Sequence, residues 1–167
     1  MRVMLTGATG FVGYHSAIAL MEAGHEVCLL VRSAAKAQKL YGDNTPDYVV
    51  GDIVDAGAIS EALQGCDAAI HSAAMVSTDA KDADLVYDTN VKGARLVIDT
   101  AMEQGVESII HVSSVTALFD SRLTSLDGNS PPGRPRARTV DPRLPAKNTR
   151  GSCRSRARLS ALPILHQ

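Results

Sequence analysis

The chain has 167 residues, 45% of them apolar and 4% aromatic, with 17 Lys+Arg against 18 Asp+Glu. That is the length of one domain with a real core, and the near-zero net charge argues against a dedicated nucleic-acid binder. Mean hydropathy near zero suits a soluble protein, and no apolar run approaches the ~18 residues that a membrane span needs. The odd cysteine count (Cys28, Cys66, Cys153) without C-x-x-C argues against a disulfide scaffold or a zinc site, and the 1–13 segment lacks a signal-cleavage pattern. A reducing cytoplasm is the expected setting.

Arg2-Val3-Met4-Leu5-Thr6 opens the chain as a short apolar run ended by glycine, the pattern of a buried parallel strand. Residues 11–23 follow with helical spacing, and Gly24 stops them. A second strand is predicted at 26–31, a short helix at 33–40 and a third strand at 48–50, closed by Gly51-Asp52. A helix over 58–63 leads to a fourth strand at 67–71. The longest helical pattern covers 82–104, with Gly105 as its punctuation, and a fifth strand covers 108–112. Strand and helix alternate strictly, which predicts a doubly wound α/β domain over 1–119 with parallel strands in the order 3-2-1-4-5.

The first strand–helix turn reads Thr6-Gly7-Ala8-Thr9-Gly10-Phe11-Val12-Gly13. Glycine is needed where backbone turns sharply and where it approaches a pyrophosphate with no Cβ in the way. The helix N-terminus then adds N–H groups and a positive dipole, and the last glycine allows close helix packing. Gly7, Gly10, Phe11, Val12 and Gly13 are therefore candidates for binding a dinucleotide. A turn that needs glycine only for packing is the alternative.

With this turn, the segments Gly51-Asp52-Ile53-Val54-Asp55, His71-Ser72-Ala73-Ala74, Asn90-Val91-Lys92-Gly93 and His111-Val112-Ser113-Ser114-Val115 stand in order. Together they resemble the extended short-chain dehydrogenase/reductases, the NAD-dependent epimerase/dehydratase family. Its dihydroflavonol-reductase and 3β-hydroxysteroid-dehydrogenase branches are the most similar. The resemblance covers about residues 1–133 and implies a Rossmann-type fold and a nicotinamide cofactor. It also implies a small-molecule carbonyl, alcohol or nucleotide-sugar substrate for the whole family protein.

The resemblance assigns further roles. Asp52 accepts from the adenine amino group and Ile53 covers the ring, unless Asp52 is an ordinary loop carboxylate. Ala73 and Ala74 leave room for the ribose and nicotinamide side, or merely pack tightly. Asn90 is a poor helix former placed mid-helix, so its amide needs a specific partner; the family sets it next to the cofactor, and a satisfied structural role is the alternative. Ser114 hydrogen-bonds the substrate carbonyl or hydroxyl. In the family a tyrosine then supplies the proton, its pKa lowered by a lysine four residues later.

Cofactor choice is read at the end of the second strand, where an NAD site usually carries Asp or Glu. Here Val31 is followed by Arg32, and no carboxylate lies between Glu26 and Asp43, whereas Lys36 and Lys39 do. A guanidinium clamps a 2′-phosphate, so NADP is favoured over NAD, with a solvated arginine as the alternative.

The composition then breaks. Residues 1–119 hold 7 Lys+Arg against 15 Asp+Glu, a formal charge of −8. Residues 120–167 hold 10 against 3, a charge of +7, and six of the seven prolines. The stretch at 120–133 still looks like the loop before the family's tyrosine. From 134 to 167 nothing does, and a basic, irregular tail is expected. Out-of-frame translation, a disordered basic tail and a small folded extension are its three readings. All four tyrosines (Tyr14, Tyr41, Tyr48, Tyr87) precede Ser114, so no Tyr-x-x-x-Lys follows it. The chain is thus expected to bind NAD(P) but to be catalytically incomplete as written. A non-catalytic dinucleotide sensor or partner-binding module, or a truncated product without function, is the alternative. An uncovered fifth strand invites dimerisation.

Overall fold

The structure is a computed structural model that describes residues 1–114 together with Ser125 and Asp127. Met1–Val112 make one compact unit, and Ser113 and Ser114 belong to a second. The sequence-based assignments for 120–133 and 134–167 otherwise lie outside the described residues.

Five parallel strands build the sheet: β1 (Arg2–Thr6), β2 (Glu26–Val31), β3 (Asp47–Val50), β4 (Ala68–His71) and β5 (Ser108–His111). Their order is β3-β2-β1-β4-β5, as the alternation of elements predicts. β1 is central because its run of Val, Met and Leu is buried on both faces. The pleat sends alternate residues to opposite sides. Val3, Leu5, Leu29 and Ile70 meet α1 (Phe11–Glu22) and α2 (Ala34–Tyr41) on one face. Met4, Leu30, Ala69 and Ile109 meet Ile59 and Val97 on the other. Those two residues belong to α3 (Ala56–Ala62) and α5 (Ala94–Glu103).

Caps fix where helices start. Ser33 accepts from the Lys36 N–H at 3.3 Å and opens α2. Asp55 accepts from the Gly57 and Ala58 amides at 2.9 and 3.2 Å, so α3 begins two residues earlier than its apolar pattern suggests.

The long 82–104 helix differs from its sequence pattern. It runs as a 3₁₀ turn (Ala80–Asp82), α4 (Ala83–Tyr87), a π-helical segment (Asp88–Gly93) and then α5. Two contacts hold the wide turn. Asn90 clamps the backbone of Met75, donating to its carbonyl at 2.8 Å and accepting from its N–H at 2.7 Å. Gly93 lies so close to Ile53 that a Cβ there would stand 2.9 Å from two carbons of its side chain. Such π segments are uncommon and gather at functional sites.

Candidate cofactor site

The carboxyl ends of the strands open into a cleft of about 900 Å³. Gly7, Ala8, Thr9 and Gly10 form its floor, Arg32 and Lys36 one flank, and Asp52, Ile53 and Val54 the next. The stretch from Ser72 to Val76, with Leu85, Asp88, Thr89 and Lys92, closes the far side. An open α/β sheet offers ligands a crevice at this position, where strand order reverses around the first strand.

The floor is held by close backbone approach. Gly7 has φ +74°, and its carbonyl accepts from the Gly10 N–H at 2.9 Å. A Cβ on Gly7 would stand 2.7 Å from the Ala73 nitrogen, and one on Gly13 would collide with the Gly7 carbonyl. Gly10 caps α1 without a side chain, and no acidic residue lies in that helix's first turn. The leading N–H groups of the helix therefore meet no capping oxygen, and its dipole favours an anion. The Phe11 and Val12 side chains are exposed, Phe11 by 82%. Phe11, Val12 and Gly13 do not themselves line the cleft.

A polar stitch ties β1 to β4 under this floor. Thr6 Oγ1 accepts from the Ala73 N–H at 3.3 Å and lies 2.7 Å from His71 Nδ1, while Ser72 Oγ donates to the Thr6 carbonyl at 2.8 Å. His71 is 1% exposed, and its ring stacks on His111 with centroids 5.3 Å apart. Burial, helped by the nearby His111, pushes His71 down to about 4, so it is neutral at pH 7. Among the described residues, His71 Nε2 and His111 Nδ1 are buried without a hydrogen-bond partner.

The other candidates divide. Arg32, Asp52, Ile53, Ala73 and Ala74 share the cleft with Gly7 and Gly10. Asp52 Oδ1 accepts weakly from the Val54 N–H at 3.4 Å, which leaves Oδ2 outside that contact. Ile53 is only 7% exposed because its side chain packs against Gly93. Asn90 does not line the cleft; both ends of its amide are spent on Met75, which does. Ser114 belongs to the second unit.

Lys36, cited with Arg32 for cofactor choice, does line the cleft, but sequence reasoning missed the Thr6–His71 pair and the pairing of Lys92 with Asp88. Lys92 Nζ is held 2.6 Å from Asp88 Oδ1, and both line the cleft. It also missed Tyr41, whose hydroxyl donates to the Ala8 carbonyl at 2.7 Å. The available signal was two histidines, each closing a strand that the predicted order makes neighbours.

Comparison with known proteins is consistent with this geometry. The model of the 3-beta hydroxysteroid dehydrogenase/isomerase family matches residues 4–130. A protein of Synechocystis sp. (strain ATCC 27184 / PCC 6803 / Kazusa), provisionally named a dihydroflavonol 4-reductase, is 39% identical over 115 residues. That alignment takes in 68% of this chain and 33% of the relative. A short-chain dehydrogenase/reductase superfamily protein of Agrobacterium tumefaciens, solved with NAD, superposes with TM-score 0.70 at 25% identity, over 81% of this chain and 40% of its own. The dTDP-glucose 4,6-dehydratase DesIV of Streptomyces venezuelae, a double mutant solved with NAD, gives 0.66 at 30% identity, over 78% and 45%. The chain thus spans about a third to two fifths of the length of the curated relatives it matches.

Proposed function

The chain belongs to the 3-beta hydroxysteroid dehydrogenase/isomerase family, and on that premise we propose that its cleft binds a nicotinamide dinucleotide, NADP ahead of NAD. One observation carries the reading: the floor of the cleft is a turn bounded by two glycines, Gly7 and Gly10. Gly7 leaves no room for a Cβ against Ala73, and the uncapped start of α1 adjoins it. Both features suit a pyrophosphate. Arg32 and Lys36 on the adjoining flank support recognition of a 2′-phosphate, since no carboxylate lies between Glu26 and Asp43. Asp52 accepts from the adenine amino group, and Ala73 and Ala74 make way for the ribose and the nicotinamide side.

A bound nicotinamide supplies a hydride donor or acceptor to a carbonyl or alcohol carbon. Ser114 is the residue proposed to orient the substrate oxygen, and the neutral His71 holds Thr6 and through it the Ala73 amide. In the whole protein the substrate is a small carbonyl or alcohol compound or a nucleotide sugar. The 167 residues as they stand form a binding module without turnover, because no tyrosine–lysine pair follows Ser114. Calorimetry with NADPH, NADH and adenosine tests the reading: NADPH binds tightest. Equal heats for all three would overturn it.

We also propose a cytoplasmic setting and self-association. Among the described residues no helix is long and apolar enough to cross a membrane, and Cys28 and Cys66 carry free thiols. β5 stands last in the sheet order among the described strands, which supports pairing with a second copy. Analytical ultracentrifugation showing only monomer at micromolar concentration would remove the second half.

A further inference from the structure

Tyr41 ends α2, 33 residues from the turn it touches. Its ring is buried among the apolar residues between that helix and the sheet, tilted against Tyr14 with centroids 5.1 Å apart. A phenylalanine or leucine would fill this space equally well. What only tyrosine adds is the hydroxyl, and that hydroxyl donates to the carbonyl of Ala8 at 2.7 Å. Ala8 is itself fully buried, and with Thr9 it makes the stretch between the first two glycines on the cleft floor.

The consequence follows from peptide geometry. In a trans peptide the C=O and N–H of one unit point to opposite sides, and no peptide bond among the described residues is cis. Fixing the Ala8 carbonyl on Tyr41 therefore turns the Thr9 N–H away from α2. Resting on the dinucleotide reading, we propose that Tyr41 is a positioning residue of the phosphate-binding turn: its hydroxyl sets the Ala8–Thr9 peptide so that the Thr9 N–H faces the pyrophosphate. The donor is dependable, because burial and then the neighbouring Tyr14 push the phenol up to about 12 and keep it protonated. Without it, this peptide unit has a buried carbonyl free to rotate toward any donor, including the phosphate-binding amides.

The test compares the 167-residue chain with Tyr41→Phe, using ADP-ribose and adenosine as probes. Tyr41→Phe is expected to weaken ADP-ribose by roughly three- to tenfold, the value of one hydrogen bond, and to leave adenosine unchanged. A role in packing alone would weaken both probes alike, and that result overturns the inference. So does an ADP-ribose affinity equal to that of the unmutated chain. If circular dichroism shows Tyr41→Phe unfolded, the unmutated chain decides: its Thr9 amide resonance must shift on titration with ADP-ribose, and an unshifted amide overturns the inference. An unmutated chain that binds no ADP-ribose overturns the dinucleotide reading and this inference with it. An unmutated chain that binds ADP-ribose, matched by Tyr41→Phe with equal affinity, overturns this inference alone.

Discussion

Gly7 and Ala73 meet backbone to backbone: a Cβ on the glycine would stand 2.7 Å from the alanine's amide nitrogen. Gly7 also sits at φ +74°, where an L side chain costs about 1–2 kcal/mol before any contact is counted. Gly10 differs on both counts, with φ −99° and only the Gly7 carbonyl within reach of an added Cβ, at 3.3 Å. Gly7→Ala should therefore damage the fold, lowering the urea midpoint sharply. Gly10→Ala should keep the fold and lose dinucleotide affinity by about tenfold or more, because its Cβ occupies the floor of the cleft. Urea melts and calorimetry on both variants separate the two effects. Unchanged binding in a folded Gly10→Ala chain would sink the assignment of the turn.

His71 gives a pH signature. Its pKa falls from 6.5 to about 4 on folding, so the unfolded chain binds the extra proton first as pH drops. Stability should thus decline between pH 6.5 and about 4 and gain nothing further from this group above 6.5. The full span is worth about 3 kcal/mol. Since carboxylates also titrate there, the readout is the difference between the unmutated chain and His71→Gln in urea melts at pH 7.0, 5.5 and 4.5. Parallel stability curves would show that the buried histidine carries no linkage.

Arg32 and Lys36 line the same flank of the cleft, and Arg32 directly follows β2. Charge-assisted hydrogen bonds to a phosphate are worth about 1.5–3 kcal/mol. Arg32→Asp should then weaken NADP by roughly 10- to 100-fold and leave NAD unchanged or slightly improved. Competition binding of the two cofactors measures the ratio. A ratio that does not move places recognition of the 2′ position elsewhere.

The five strands and their order were legible because each strand is an apolar run bounded by glycine or polar residues, and β–α alternation leaves few topologies. The cleft floor was legible for the same local reason, since three glycines at fixed spacing follow a strand. The π-helical segment was not. It depends on Asn90 reaching Met75, 15 residues away, and the apolar spacing of 82–104 is satisfied equally by an unbroken helix. Helical pattern alone also misplaced the start of α3, because Asp55 caps it from outside the apolar stripe. Tyr41 and Ala8 are farther apart still, and nothing in α2's composition signals a hydroxyl aimed at the turn. What sequence shows well is local chemistry and periodicity; contacts that fix one peptide plane from a distant side chain come only with the packed structure.

The last prediction concerns turnover. The 167-residue chain should bind the dinucleotide and yet reduce or oxidise no substrate at an enzymatic rate. Reduction of a carbonyl leaves an oxygen that must gain a proton near neutral pH. Ser114 is proposed to orient that oxygen, but a serine hydroxyl is far too weak an acid to protonate it. General acid–base catalysis typically contributes ~10²–10⁴-fold, and no Tyr-x-x-x-Lys after Ser114 supplies it. Positioning of the substrate, worth roughly 7–11 kcal/mol of barrier, needs surfaces beyond those of the cofactor cleft. Both deficits act on the same step, so rates should sit near the uncatalysed level. The measurement is NADPH oxidation with ketone, aldehyde and nucleotide-sugar substrates, run beside Ser114→Ala. Steady oxidation by the unmutated chain, abolished in Ser114→Ala, would show that another group supplies the proton. Lys92, already in the cleft with Asp88 beside it, would be the first residue to replace.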